Sequence, residues 1–451
     1  MAAEISASPR LFALKALIAV DESGAYTNLS LERFLSHSLS SADKALLVQL
    51  VYGTVSMQLA IDFQLNSLMR KPIDTLPAAI RNILRLGAYQ IMYLAKIPPH
   101  AAVNEAVKLA HRFGHIGTAR LVNAVLRRLA PADALIWPEK SEDCTHYLSV
   151  RYSHPPFLVA RWVRQLGAEE TEGLMRANNL PPRFSIRVNA TRIGVHELSE
   201  RLLERDFTVE AGQYVPEILY PSPTPSFADE LFTGGYYSVQ GEASAMCGHF
   251  LAPAPRERVV DLCAAPGGKT THLAELMGDE GEIFAFDRNA KRLQLVVENA
   301  TRLGLRSIRT IHREAHEALA VTGEVEKVLL DAPCSGLGVL RHKPDLRYRH
   351  SDDTIRQLAA NQSEMLRSAA QLVARGGTLV YSVCTTEPEE TTEVVGKFLA
   401  LHGDFAEVKT LPRRLKLKRE PRRGDGPGYH FWPHRDGMDG FYIAALRRAG
   451  I

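Results

Sequence analysis

From about residue 236 onward the chain alternates short apolar runs with longer helical patterns, and this alternation limits its fold more than any other feature. RVVDLCAA, GEIFAFD, SIRTIHRE, EKVLLDAP and GGTLVYSVC are strand-like. Between them lie KTTHLAELMG, NAKRLQLVVENATRLG and TIRQLAANQSEMLRSAAQLVAR, with helical character. Strands that alternate with helices predict an α/β domain built on a parallel, doubly wound sheet. Such sheets bind ligands outside the carboxyl ends of their strands. Residues 261–263, Asp287, Glu314, Asp331 and Cys384 all fall at such ends.

At about 150 residues per domain, 451 residues suggest about three domains. Residues 1–135 read as an all-α domain. Ser8-Pro9 offers an N-cap and an N1 proline, and Ile80, Ile83, Leu84 and Leu86 recur at helical spacing. PPHAAVNEAVKLAHRFG starts behind a double proline and stops at Gly114, and ARLVNAVLRRLAP ends at Pro131. The polar, proline-bearing stretch 131–146 suits a linker. Residues 147–235, with HPPFLVARWVRQLG followed by strand candidates in FSIRVNAT and GQYVPEILYP, read as a small α/β module; 236–451 is the sheet domain.

Several function classes drop out. No apolar run is long enough to span a bilayer, and LFALKALIAV is interrupted by Lys15 and lacks a cleavage site, so it reads as a helix. The five cysteines (Cys144, Cys247, Cys263, Cys334, Cys384) are odd in number, widely spaced and never paired as CxxC. That argues against a disulfide framework and a zinc site, and predicts reduced thiols, a cytoplasmic setting and no metal. A net charge of +3 is too small to imply a nucleic-acid partner by itself.

The loop after the first sheet strand, DLCAAPGGKTTHLAEL, runs strand, small residues, helix. Gly267 and Gly268 allow close backbone approach, and the N–H groups opening the helix suit a polar or anionic group. Gly268-Lys269-Thr270 matches the second half of a P-loop, but position 263 is cysteine where the first glycine belongs, and Pro266 removes an N–H from the cradle. GxGxxG is absent too. The alternative is a nucleoside-bearing cofactor laid across the strand ends. Asp287 would accept the ribose hydroxyls and Glu314 an adenine amino group. For Asp287 taken alone, a helix cap or first-turn charge is an equally good account, which three acids and a glycine loop at successive strand ends weaken.

Taken together, DLCAAPGGKT, LLDAPCSGLG and YSVCT resemble the motifs of the bacterial RNA cytosine-C5 methyltransferases of the NOL/Sun family, and the resemblance covers essentially the whole chain. PPHAAVNEAVKLA and LVNAVLRR resemble the NusB-type RNA-binding domain found in members that act on 16S ribosomal RNA. The resemblance implies a class I, Rossmann-like methyltransferase domain behind a NusB-like helical domain. It implies S-adenosyl-L-methionine as cofactor, held by Cys263, Ala264, Ala265, Pro266, Gly267, Gly268, Lys269, Asp287, Glu314 and Asp331. It further implies 16S ribosomal RNA as partner, naked or in an early assembly intermediate, a monomer, and no membrane. Two departures stand out: Glu314 replaces the usual aspartate, and Val383-Cys384-Thr385 replaces Thr-Cys-Ser.

Carbon 5 of cytosine is a poor nucleophile. A thiolate adding at carbon 6 makes the ring enamine-like, so that carbon 5 can take a methyl group. Charge then builds on the ring, and Asp331, if protonated, can donate to N3. Lys269 can orient Asp331, contact the cofactor or cap the loop. Asp331-Ala332-Pro333-Cys334 puts a thiol where amine-methylating enzymes carry a stacking group, which favours carbon as the acceptor. The residues alone leave open whether Cys334 or Cys384 attacks. The resemblance implies that Cys384 attacks and Cys334 assists release. Cys263 is expected to be a packing residue, and Cys144 and Cys247 inert. A base must be unstacked to react, so a single-stranded or loop target is expected. Arg341, Lys343, Arg347 and Arg349 with Tyr348 suit phosphates and a stacked base, unless they form only a solvated loop. Arg413, Arg414, Lys416, Lys418, Arg419, Arg422 and Arg423 read as a mobile charged loop or an RNA contact.

Overall fold

The computed structural model describes residues 8–35, 37–129, 134–415 and 426–450. The chain divides into two compact units, Met1–Leu180 with Leu340–Arg349, and Pro181–Val339 with His350–Ile451.

The first unit is helical. Ser8 caps helix Pro9–Ser23 by accepting from the Leu11 N–H, with Pro9 in the first turn. Helix Ala78–Tyr93 runs through the core. Its Ile80, Ile83, Leu84 and Leu86 are at most 1% exposed and pack with Leu14, Leu47, Leu50, Ile61 and Val122. Helices Pro99–Phe113 and Ile116–Arg128 start and stop near the proline and glycine signals. Helices Cys144–Tyr152, Pro156–Leu166 and Ala168–Asn178 also belong to this unit. Within 147–235, the helices before Leu180 group with the helical unit, whereas the strands and helices Val195–Leu203 and Glu230–Thr233 group with the sheet unit. Amphipathic helices go wherever an apolar face is open to them, and the sequence pattern does not say where.

The second unit holds two sheets. The smaller comprises β1 (Ile186–Val188), β2 (Thr208–Ala211), β3 (Ile218–Ser222) and β4 (Tyr237–Val239) in the order β2-β3-β1-β4, all antiparallel. The larger contains β5 (Arg258–Asp261), β6 (Glu282–Phe286), β7 (Ile308–Ile311), β8 (Val325–Asp331), β9 (Val373–Val383), β10 (Phe405–Glu407), β11 (Tyr429–Phe431) and β12 (Phe441–Arg448). Its order is β10-β12-β9-β8-β5-β6-β7, with β11 beside β12. β5 to β9 are parallel, as the alternation predicts, whereas β10, β11 and β12 run antiparallel and make the sheet mixed. Strand order reverses between β5 and β8, so the ligand crevice of a doubly wound sheet opens at their carboxyl ends.

No single helix among the described residues is long and apolar enough to cross a membrane.

Candidate active site

The crevice is built from three strand ends. β5 ends at Asp261 and leads into the loop 262–267, which opens helix Gly268–Leu276. β8 ends at Asp331, three residues before Cys334, and β9 ends at Val383, next to Cys384. The ladder pairs Asp331 with Ser382. Parallel pairing thus brings the two thiol-bearing loops side by side.

Cys334 Sγ and Cys384 Sγ lie 3.3 Å apart, close enough to share a proton. Both side chains are half-buried. The hydrogen bond to Cys384, together with burial, pushes the Cys334 thiol well above its ordinary range. Either sulfur can be the donor in this contact. The Lys269 ammonium faces the same place. It donates to Asp331 Oδ2 at 2.8 Å, while Ser382 Oγ donates to Asp331 Oδ1 at 2.7 Å. Lys269 loses charge stability to burial, but the neighbouring Asp331 outweighs this and keeps the lysine protonated.

The loop 263–267 follows the carboxyl end of β5, beside Asp287. Gly267 has φ +104°, and a Cβ there would stand 3.1 Å from the Val296 backbone, so only glycine closes the turn without strain. The Ala265 N–H points to Asp287 Oδ2 at 3.3 Å, and Asp287 Oδ1 accepts from the Asn289 N–H at 2.8 Å. Arg292 and Asn299 hold the carbonyls of Ala265 and Pro266. Buried Asp261 takes the Thr270 hydroxyl at 2.7 Å, and burial raises its carboxyl to about 7. Among the described residues its other oxygen has no hydrogen-bond partner, so the end of β5 offers an unmatched buried acceptor beside the helix-opening N–H groups. These features fit a polar nucleoside cofactor across β5 and β6.

Glu314 takes a different position. It is exposed and caps the short turn Ala315–Glu317 in a reciprocal capping box. Cys263 packs against the sheet core, and burial keeps its thiol protonated. Cys247 is fully buried, its thiol pushed up to about 12.

Two features were not visible in the sequence. Arg187 of β1 is fully buried and donates to both oxygens of Glu275, to the Gly268 carbonyl and to Thr271. It thereby anchors the helix that follows the loop 262–267. Glu390 accepts from Ser335 and Gln362 beneath the two thiols. Buried charged partners carry no local sequence signal beyond an arginine in a strand and glutamates among other acids.

In the basic stretch after Cys334, Arg347, Tyr348 and Arg349 are engaged within the protein. Leu340–Arg349 belongs to the helical unit. Arg347 is fully buried and donates to the carbonyls of Ser56 and Ser153, at the ends of two helices. Tyr348 donates to the Val55 carbonyl, and Arg349 to those of Gly24 and Ala25. These side chains satisfy orphan helix carbonyls, a demand that sequence charge alone does not reveal. Lys343 stays exposed. Of the second basic run, Arg413 and Arg414 are exposed, and Lys416, Lys418, Arg419, Arg422 and Arg423 lie outside the described residues.

Comparison with known proteins agrees with this architecture. The family model for the 16S rRNA methyltransferase RsmB/F matches residues 248–447, the NusB family model residues 7–131, and the RsmF/B-like ferredoxin-like domain residues 154–222. A probable ribosomal RNA small subunit methyltransferase B of Bacillus subtilis is 37% identical over 98% of this chain and 99% of its own length. The ribosomal RNA small subunit methyltransferase B of Klebsiella pneumoniae is 32% identical over 91% of this chain and 92% of its own length. The crystal structure of PH0851 superposes with a TM-score of 0.81 at 29% identity, covering 98% of this chain and 99% of that one.

Proposed function

The chain belongs to the RsmB/F family of 16S rRNA methyltransferases, and from that premise we propose that it methylates carbon 5 of a cytosine in 16S ribosomal RNA through a covalent adduct on Cys384. The observation that carries this reading is the 3.3 Å contact of Cys334 and Cys384, set beside the Lys269–Asp331 pair. S-adenosyl-L-methionine, held by the loop 263–269, Asp287 and Asp331 with Glu314 at the rim, supplies the methyl group when bound.

Cys384 attacks carbon 6 as the thiolate. Cys334 stabilises that thiolate by donating its S–H, and Lys269 adds a nearby positive charge. Charge that builds on the ring is met at N3 by the proton shared between Lys269 and Asp331, which returns once carbon 5 is alkylated. After attack Cys384 is a thioether and no longer accepts from Cys334, so one cause of the raised Cys334 thiol is gone. Cys334 then gives its proton to solvent and, as the thiolate, takes the carbon-5 proton. The C5–H electrons form the C5=C6 double bond, the C6–S bond breaks, and Cys384 leaves as thiolate. The resting pair, one proton between two sulfurs, is restored. Free thiols are a working requirement, which suits a reducing cytoplasm. The RNA, naked or in an early assembly intermediate, presents an unstacked base to a monomeric enzyme.

The test is an adduct gel. Wild type, Cys334→Ser and Cys384→Ser are incubated with the cofactor and unmodified 16S RNA, then denatured. Cys334→Ser accumulates the protein–RNA adduct and Cys384→Ser forms none. The reverse pattern would exchange the roles.

A further inference from the structure

We propose that Glu390 is a positioning residue whose buried carboxylate sets the releasing thiol Cys334 against Cys384, an assignment that rests on the roles given above. Glu390 is fully buried and, among the described residues, makes no ion pair. A carboxylate so placed is costly unless hydrogen bonds satisfy it. Its partners are all neutral: the Ser335 N–H at 2.9 Å, the Ser335 hydroxyl at 2.5 Å, Gln362 Nε2 at 2.9 Å and the Thr385 side chain. Burial holds the carboxyl above its ordinary range, and these donors pull it back.

The arrangement clamps one residue from both sides. Gln362 Nε2 also donates to the Pro333 carbonyl at 2.9 Å, so the residues before and after Cys334 are each pinned. The two pins are bonded to each other. The Tyr381 hydroxyl donates to the Glu390 carbonyl at 2.7 Å and lies 3.2 Å from Gln362 Oε1. Tyr381 sits on β9, three residues before Cys384. The clamp thus references the Cys334 loop directly to the strand that carries the nucleophile.

Cys384 does not depend on this clamp to the same degree. Its strand is zipped between β8 and β12 as far as Val383, and its own carbonyl accepts from the Gly338 N–H at 3.0 Å. Gly338 in turn is packed so closely on Gly440 that a Cβ would meet the Gly440 carbonyl oxygen at 2.0 Å. Ladder and backbone contacts hold the nucleophile, with one side-chain contact beside it, Ser335 Oγ to Thr385 Oγ1 at 3.0 Å, whereas side-chain hydrogen bonds on both flanks, at Pro333 and Ser335, hold the releasing thiol. Loss of Glu390 should therefore impair release more than attack.

The experiment compares Glu390→Ala, Glu390→Gln and Ser335→Ala with wild type, Cys334→Ser and Cys384→Ser, by adduct gel and by single-turnover and steady-state methyl transfer. Misplacing a catalytic group by about 1 Å costs roughly 100-fold. Glu390→Ala should keep the first methyl transfer within a few-fold of wild type, lose about 10- to 100-fold in steady-state turnover, and accumulate adduct as Cys334→Ser does. Glu390→Gln, whose amide oxygen can still accept from the Ser335 N–H, should recover part of the turnover. Ser335→Ala removes one hydroxyl without unseating the helix or sheet and should give intermediate adduct, which keeps the test informative if Glu390→Ala does not fold. Slow turnover without extra adduct in the Glu390 and Ser335 variants would overturn the positioning role. If Cys384→Ser rather than Cys334→Ser traps adduct, the nucleophile assignment itself is wrong, whatever Glu390 does.

Discussion

Arg187 and Glu275 give the most quantitative test of how the small sheet supports the cofactor loop. Both side chains are essentially sealed, with 0% and 2% exposure, and the guanidinium meets the carboxylate at 2.7 and 2.9 Å. Replacing Arg187 with Met leaves the carboxylate buried and uncompensated and also strips the Gly268 carbonyl of its donor. Removing one partner of such a pair costs about 3–5 kcal/mol. For a unit of this size that lowers the urea midpoint by roughly 1–2 M. Burial already raises the Glu275 carboxyl, and Arg187 is the main opposing influence. Without Arg187 the folded-state value climbs further above the unfolded one. Between the two values the folded protein then binds the proton more readily, so stability falls as pH rises through that window. The deficit of Arg187→Met should therefore be larger at pH 8 than at pH 5. Arg187→Met/Glu275→Leu, which removes both charges, should regain at least half of the loss. Urea unfolding of the four proteins at the two pH values is the assay. A single-variant cost below about 1 kcal/mol, or a deficit that grows on acidification, would refute the reasoning.

Lys269→Ala should lower the first-turnover rate by about 100- to 1,000-fold, because it removes the cation beside Asp331 and Cys384; an unchanged rate and cofactor affinity, the latter measured by calorimetry, would take Lys269 out of the site. Arg347→Met should cost about 2–4 kcal/mol in unfolding experiments and leave the salt dependence of RNA binding unchanged, whereas a phosphate contact would reduce that slope by about 1. At neutral pH iodoacetamide should alkylate Cys384 before Cys334 and Cys247, since the contact with Cys384 and burial push the Cys334 thiol up and Cys247 is buried. Mass spectrometry that finds Cys334 modified first would reverse the proton assignment.

The alternation of apolar runs and helical patterns was enough to locate β5 to β9 and the loops that follow them, because a strand buried on both faces writes itself as a continuous apolar stretch. Cap signals at Ser8-Pro9 and Pro98-Pro99 placed helix starts for the same local reason. Thiols and acids at strand ends were visible as soon as the strands were. What lay beyond the sequence was every pairing between distant segments. Cys334 and Cys384 are 50 residues apart and touch only because β8 and β9 pair in the register that sets Asp331 against Ser382. Arg347 looked like a phosphate ligand and is spent on helix carbonyls; Glu390 looked like one acid among several and pins the Cys334 loop. A residue's local propensity is encoded in its neighbours along the chain. The partner that satisfies a buried charge, or shares a thiol's proton, is chosen by packing among segments far apart in sequence, and only the tertiary structure decides that.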